Sequence, residues 1–404
     1  MKILQIHNQY KKPGGEDVVA ENEAKLLKLH GHTVSSFFVS NNSIVGNTLL
    51  DKIRVGLNTI WSNEMYSKLE GFLKENRPDI AHVHNTFPVL SPAIYWCLKK
   101  HNIPIVQTLH NYRFVCANGV LMQNGSDVPC EKCIQTSIFK ALKYKCYRTS
   151  FLATFTIVSM QAIHRFIGTY RRKIDTYVVL TDFMKKLIGN SALNIKNKVF
   201  IKPNFVYDYK KFKSQKEKRF VFVGRISYEK GLDILLEAWS HLNLDEAKLV
   251  IIGEGPDKTE LMKQYRSTKN IEWVGYLPNS EIANILAKSL CLIMPSKWYE
   301  TFGMVIIEAF STGTPVIAPE HAGFPELVVD GERGYLFQPN NVSSLANTIK
   351  RFYSLNADEK MKMGMLARQA FEEYFSPEGN YKLLLSIYEN TILNHTNLQR
   401  GGKI

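Results

Sequence analysis

The sequence predicts a two-domain α/β protein in which each domain is a doubly wound parallel sheet flanked by helices. Three observations lead there. Short apolar runs of strand length alternate with amphipathic stretches of helical period, once in each half of the chain. The 404 residues exceed what one hydrophobic core usually organises. Residues 207–219, YDYKKFKSQKEKR, are densely charged with little to pack, so they read as a linker or surface approach between two folded parts.

In the first domain, residues 1–205, Lys2–His7 reads as a buried strand followed by the turn Pro13-Gly14-Gly15. An amphipathic helix runs from about Glu16 to His30. Next come a strand at Thr33–Val39, a helix ending near Arg77, and strands at Ile80–His84 and Ile105–His110. A Cys- and Lys-rich insertion covers about residues 111–150. Thr176–Leu180 and Val199–Ile201 complete the sheet.

The second domain, residues 206–375, restarts the pattern with a strand at Arg219–Gly224 and a helix at Gly231–Leu242. Strands follow at Lys248–Ile252, Ile271–Val274, Cys291–Met294 and Pro315–Ala318. Two such domains in one chain imply a cleft between them, a common place for ligands. The last segment, 376–404, opens with Ser376-Pro377-Glu378 and carries an apolar period to about Leu393; it reads as a helix returning to the first domain.

Two motifs carry chemistry. In Val223-Gly224-Arg225-Ile226-Ser227-Tyr228-Glu229-Lys230-Gly231 a strand ends in a glycine turn that delivers Arg225 and Lys230 just before a helix. Two cations and a helix amino terminus suit a diphosphate. In Ser296–Ala309, SKWYETFGMVIIEA, Glu300 and Glu308 lie eight residues apart around an apolar helix, which predicts both near one face with Glu300 in the loop at the helix start. Carboxylates accept from neighbouring hydroxyls, and glycine at 303 lets backbone approach a ligand closely.

Together with Pro315-Val-Ile-Ala318 and Gly323-Phe-Pro-Glu326, these elements resemble the carboxy-terminal domain of glycosyltransferase family 4 (group 1) over residues 219–340. The resemblance implies a GT-B fold, retaining transfer without a catalytic metal, and a nucleotide-sugar donor held mainly by the second domain. It implies that Arg225 and Lys230 neutralise the diphosphate, that Glu300 contacts the transferred sugar, and that Glu308 binds the ribose. It also puts Gly224, Phe302, Gly303, Met304 and Val305 against the donor. The first domain is similar more loosely: Gly14 and Gly15 stand where the family carries a glycine pair, and His110 where it places a histidine facing the sugar. His321-Ala322-Gly323 departs from the family's two adjacent glycines.

The sequence contains no Asp-x-Asp pair to hold a divalent ion on a diphosphate, so no cofactor is expected for the chemistry. UDP-sugar is the expected donor class, with GDP-sugar next, and the expected acceptor is a saccharide or lipid-linked oligosaccharide in surface polysaccharide assembly. A same-fold nucleotide-sugar isomerase and a non-catalytic sugar-nucleotide or nucleic-acid binder are the competing readings.

The net charge of +14 is confined to one half: residues 1–205 hold 27 basic and 13 acidic groups, residues 206–404 hold 24 of each. Such asymmetry points to an anionic partner. Lys140, Lys143, Lys145, Arg148, Arg165, Arg171, Arg172 and Lys173 are interleaved with Phe139, Tyr144, Tyr147 and Phe151, which suits the anionic inner leaflet of a membrane; nucleic acid is not expected, because none of its usual motifs is present. The amino terminus MKILQIHNQYKK lacks a long apolar region, and Phe151–Ile167 is too short and polar to span a bilayer, so a cytoplasmic, peripheral protein is expected. Cys116, Cys130, Cys133 and Cys146 have the spacing Cys-x13-Cys-x2-Cys-x12-Cys, which reads as a structural zinc site, as scattered reduced thiols, or as a redox or disulfide set.

Overall fold

The computed structural model describes residues 1–11, 14–43, 48–123, 126, 128–209, 215–244 and 246–401. Pro13 of the glycine turn, residues 210–214 of the charged linker, 124, 125 and 127 of the insertion, and 402–404 lie outside the described residues. The chain forms two compact units: Met1–Gly125 with Cys130–Pro203 and Asn380–Ile404, and Asn204–Gly379 with Ser126–Pro129.

The first unit holds six strands, β1 (Lys2–Gln9), β2 (Thr33–Ser40), β3 (Ile80–Asn85), β4 (Ile105–Thr108), β5 (Thr176–Val179) and β6 (Val199–Ile201), in the order β2-β1-β3-β4-β5-β6. Every pairing is parallel. A parallel sheet is covered on both faces, which is why the inner strands β1, β3, β4 and β5 are buried runs rather than alternations, while the edge strands β2 and β6 stay partly exposed. Ile3, Ile80, Val106 and Val178 pack with Leu384, Ile387 and Tyr388 of the last helix, Pro377–Gly401. Strand β3, IAHVHN, breaks the apolar rule: all six residues are buried although three are polar.

The second unit repeats the plan with β7 (Arg219–Val223), β8 (Lys248–Ile252), β9 (Ile271–Gly275), β10 (Cys291–Ile293), β11 (Val316–Pro319) and β12 (Gly334–Phe337), ordered β12-β11-β10-β7-β8-β9. These pairings are parallel as well. Phe220, Leu235, Leu249, Ile293, Ile317 and Phe352 lie in its core.

The expected α/β class with two doubly wound sheets is what the structure has, with local corrections. Strand β4 ends at Thr108, so His110 stands two residues beyond it instead of in it. The single helix expected to end near Arg77 is two, Leu49–Ile60 and Asn63–Glu75, because Ser62 stops the first and caps the second by accepting from Met65 N at 3.3 Å. Strand β12 was not expected, since GYLF offers only four residues and begins on glycine.

Candidate functional site

The predicted residues fall into two sets, one on each unit. In the second unit the chain leaves β7 through Gly224 and Arg225, makes one tight turn at Tyr228–Lys230 and enters the helix Leu232–Ser240. Gly231 joins them with φ +69°, and a Cβ there would lie 2.0 Å from the carbonyl oxygen of Pro295. The loop after β10 therefore presses on the loop after β7, and only glycine fits the contact.

That approach brings Lys230 to Glu300. The ammonium donates to Glu300 Oε1, and Ser296 Oγ donates to the same oxygen at 3.1 Å. Lys230 Nζ also stands 5.0 Å from the Trp298 ring centroid. Glu300 is buried and Lys230 half-buried, so the pair is shielded without being sealed from water.

Gly303, at φ +93°, is the N-cap of the helix Met304–Ser311, beside buried Phe302. The backbone N–H groups of Met304 and Val305 are in the first turn, where helices favour anions. Glu300 lies four residues before Met304, in the loop at the helix start as the sequence predicts, so that loop rather than helical spacing sets its position relative to Glu308. Glu308 sits in the helix with its carboxyl pushed up to about 7 by burial. Arg225 is exposed, and its charge acts on Asp257. Gly224 is not forced locally, since a Cβ would meet the Phe222 ring at an ordinary 3.6 Å. Ala322, where relatives carry glycine, adopts φ +52°, the left-handed region that favours glycine.

In the first unit Gly14 caps the helix Gly15–Leu29, donating from its N–H to Asp17 Oδ2 at 2.7 Å. Asp17 Oδ1 also pairs with His7 Nε2 of β1 at 2.9 Å. His110 Nε2 lies 3.0 Å from His84 Nδ1 of β3, with the rings stacked at 5.3 Å between centroids. Burial lowers His110 to about 3 despite the pull of Glu23, and it lowers His84 too. Both rings are therefore neutral, one donating and the other accepting.

Below them Lys202 Nζ donates to Glu23 Oε1 at 2.5 Å and to Asn380 Oδ1 at 3.1 Å. His82 bonds Tyr388 through Nδ1 and Thr108 through Nε2, both at 2.7 Å. These contacts engage both histidines of β3, and its third polar residue, Asn85, donates to the Asn8 carbonyl at 3.0 Å. Among the described residues, Glu23, His82 and His84 are the one set of three metal-capable groups with ligand atoms all within 4.8 Å. Lys202 already supplies a cation to that carboxylate, so the set fits an internal ion pair better than a metal.

Sequence reasoning missed Glu16. Asn85 Nδ2 donates to its Oε1 at 2.8 Å and Asn111 Nδ2 to its Oε2 at 3.4 Å. Its carboxyl is raised to about 7, chiefly by burial, with Asp17 adding repulsion while Tyr10, Arg113 and Asn111 pull the other way. The signal was an acid directly after the glycine pair, read only as part of a turn.

The four cysteines are neighbours in the first unit. Burial raises Cys133 to about 11 and Cys146 to about 12, and both also feel Cys116 and Cys130. Cys116 Sγ receives backbone hydrogen bonds from Asn118, Gly119 and Leu121, although burial still raises it. No three of the sulfurs come within 4.8 Å of one another. A tetrahedral zinc site needs about 3.8 Å between sulfurs, so the thiols are gathered without being drawn into one coordination sphere.

The pattern described as Glycosyltransferase Family 4 matches residues 13–206, and that described as Glycosyl transferases group 1 matches residues 207–370. The two matches abut at residues 206 and 207, three residues past the 203/204 division between the two units. The chain belongs to the family 4, group 1 glycosyltransferases. It is 26% identical over 290 residues to an uncharacterized 42.6 kDa protein in the cps region of Klebsiella pneumoniae, covering 70% of this chain and 69% of that one. It is 24% identical to the N-acetyl-alpha-D-glucosaminyl L-malate synthase of Bacillus anthracis, covering 98% of each. The solved structure of Anabaena Alr3699/HepE in complex with UDP matches with a TM-score of 0.67 at 16% identity, covering 96% of this glycosyltransferase and all of that chain. The fold is thus GT-B. Among the described residues, no helix is long and apolar enough to cross a membrane.

Proposed function

We propose that this glycosyltransferase moves a sugar, with retention at the anomeric carbon, from a nucleotide-sugar donor to a saccharide or lipid-linked saccharide acceptor in surface polysaccharide assembly. A UDP-sugar is the preferred donor, a GDP-sugar the next. The carrying observation is the second unit's cluster: Gly231 lets Lys230 reach Glu300, while the Gly303 helix end, exposed Arg225 and half-buried Glu308 belong to the same family motifs. The UDP complex of the Anabaena relative supports the base, and the cps-region relative supports the pathway class.

In this reading Arg225, Lys230 and the Met304 and Val305 N–H groups hold the diphosphate, and Glu308 accepts from the ribose. The bond from the anomeric carbon to the diphosphate oxygen breaks, and the acceptor oxygen bonds to that carbon from the same face. The acceptor proton passes to the departing diphosphate oxygen. Positive side chains and backbone dipoles carry the leaving charge, so a divalent ion is not needed. His110 hydrogen-bonds a sugar hydroxyl, and Gly14 and Gly15 face the phosphate side.

The protein works at the cytoplasmic face of an anionic membrane. Cys116, Cys130, Cys133 and Cys146 are the groups that would hold a structural zinc; their mutual proximity and the three backbone donors on Cys116 support the proposal, and binding would have to draw the sulfurs closer than they stand. Zinc near one equivalent in protein prepared without chelator supports it; less than about a tenth of an equivalent refutes it.

Thermal shift with UDP, GDP and ADP tests the donor site. Ligand at a hundred times its dissociation constant should stabilise by about 2.7 kcal/mol. A shift with UDP alone, abolished in Arg225→Ala and Glu308→Ala, is expected; no shift with any nucleotide would overturn the reading. Transfer to added acceptor separates a transferase from an isomerase.

A further inference from the structure

Large apolar side chains normally face inward, and contiguous ones left in water mark a contact surface. The first unit leaves such a stripe on two neighbouring helices. On Leu49–Ile60 the residues Leu50, Ile53 and Leu57 are 77%, 50% and 63% exposed, spaced to share one face. On Phe151–Phe166 the outward residues Leu152, Phe155 and Phe166 are 69%, 53% and 93% exposed, while Ile157, Val158 and Met160 of the same helix are buried. The helices touch at Gly56, where a Cβ would lie 3.3 Å from Thr156 Oγ1, so the two stripes form one surface.

The charge around this surface selects its partner. Residues 132–174 contain nine Lys or Arg and no Asp or Glu. The short helix Lys140–Lys143 precedes the second apolar helix, and Lys140, Lys143, Lys145 and Arg148 are exposed. A second copy of the chain on this face would bring like charges together. A nucleic acid would satisfy the charges and leave the leucines and phenylalanines in water. An anionic lipid surface satisfies both, because apolar side chains enter the acyl boundary while basic ones meet the headgroups.

We infer that the paired helices Leu49–Ile60 and Phe151–Phe166, with the adjoining basic segment 140–148, form the face by which the protein docks on an anionic bilayer. The inference deepens the membrane-associated part of the proposed function and rests on it. Binding is measured without donor or acceptor, so failure of docking and failure of transfer are separate results.

The test is co-sedimentation of the full-length protein with phosphatidylcholine vesicles, with and without phosphatidylglycerol. Binding should require phosphatidylglycerol and weaken as salt is added. The substitution pair Leu152→Asp and Phe155→Asp should cut it by roughly tenfold or more, as should Lys140→Glu with Lys143→Glu. All four positions are exposed, so an unchanged melting curve should accompany the loss, and the variants' thermal response to UDP should remain that of the parent. Equal binding to both vesicle types, undiminished binding by both variant pairs, or a protein dimer that the aspartate pair dissociates would each overturn the inference.

Discussion

Lys230 and Glu300, from loops 70 positions apart, form an ion pair whose carboxylate also accepts from Ser296. Removing the lysine alone leaves a buried carboxylate without its cation, whereas removing both leaves none. Lys230→Met should therefore cost about 1–3 kcal/mol, and adding Glu300→Gln should recover part of the loss. Urea denaturation of the single and double variants reads the difference. Transfer should fall at least tenfold in each, since both groups are also assigned to the donor.

Gly231 is the reason that ion pair exists. Gly231→Ala places a methyl 2.0 Å from a carbonyl oxygen in a left-handed conformation, so the two loops must separate. A loss above about 2 kcal/mol in stability is expected, together with loss of the UDP thermal shift. An alanine variant with parental stability would show that the loop contact is not rigid.

Glu308 starts from a carboxyl raised to about 7 by burial. A raised carboxyl favours folding while protonated, so its favourable share is complete below the ordinary value of 4.5 and is lost as pH rises through about 7. Nucleotide binding has the opposite preference, because ribose hydroxyls donate to the ionised form. UDP affinity should weaken as pH falls from 8 to 6 with an apparent pKa near 7. Glu308→Gln should bind UDP roughly ten- to a hundredfold more weakly and lose that pH dependence, as isothermal titration would show.

Much of this was legible in the sequence because the constraints are local. Strands Val199–Ile201 and Lys248–Ile252 have predicted and observed bounds equal, because VFI and LVII are continuous apolar runs. The Arg225 to Lys230 loop and the Glu300 to Glu308 segment were visible because their residues sit close in the chain. What was not legible depends on distant partners. Glu16 acquires its environment from Asn85 and Asn111, and the histidines of β3 from Glu23, Lys202 and Tyr388. Glu300 was expected in the loop at the helix start, but the approach of that loop to Gly231 and the pairing with Lys230 join distant stretches of chain. The apolar stripe of Leu50, Ile53 and Leu57 looks like an ordinary core-facing helix until its outward face is seen.

Lys202 and Glu23 are both fully buried, so removing one leaves the other's charge in the interior. Lys202→Met should destabilise the protein by about 3–5 kcal/mol. Pairing it with Glu23→Leu should cost clearly less, because no charge is left unpaired. A double-mutant cycle by chemical denaturation gives the coupling, and strictly additive losses would show that the two groups act independently.

The His84–His110 pair makes the first unit sensitive to acid. His110 falls to about 3 from the ordinary 6.5, so the unfolded chain takes up protons that the folded chain refuses. The stability linked to this group is present above about 6.5 and declines as pH falls toward about 3. Each proton bound only by the unfolded state contributes a slope of about 1.4 kcal/mol per pH unit. His110→Asn removes one such proton and should make the fall in stability between pH 6 and pH 4 shallower by about that slope. The same variant should lose transfer at every pH, because neutral His110 has no titration to switch it on near neutrality. A parental acid slope in His110→Asn would mean that His110 is protonated in the folded protein and that its hydrogen bond to His84 is made by an imidazolium.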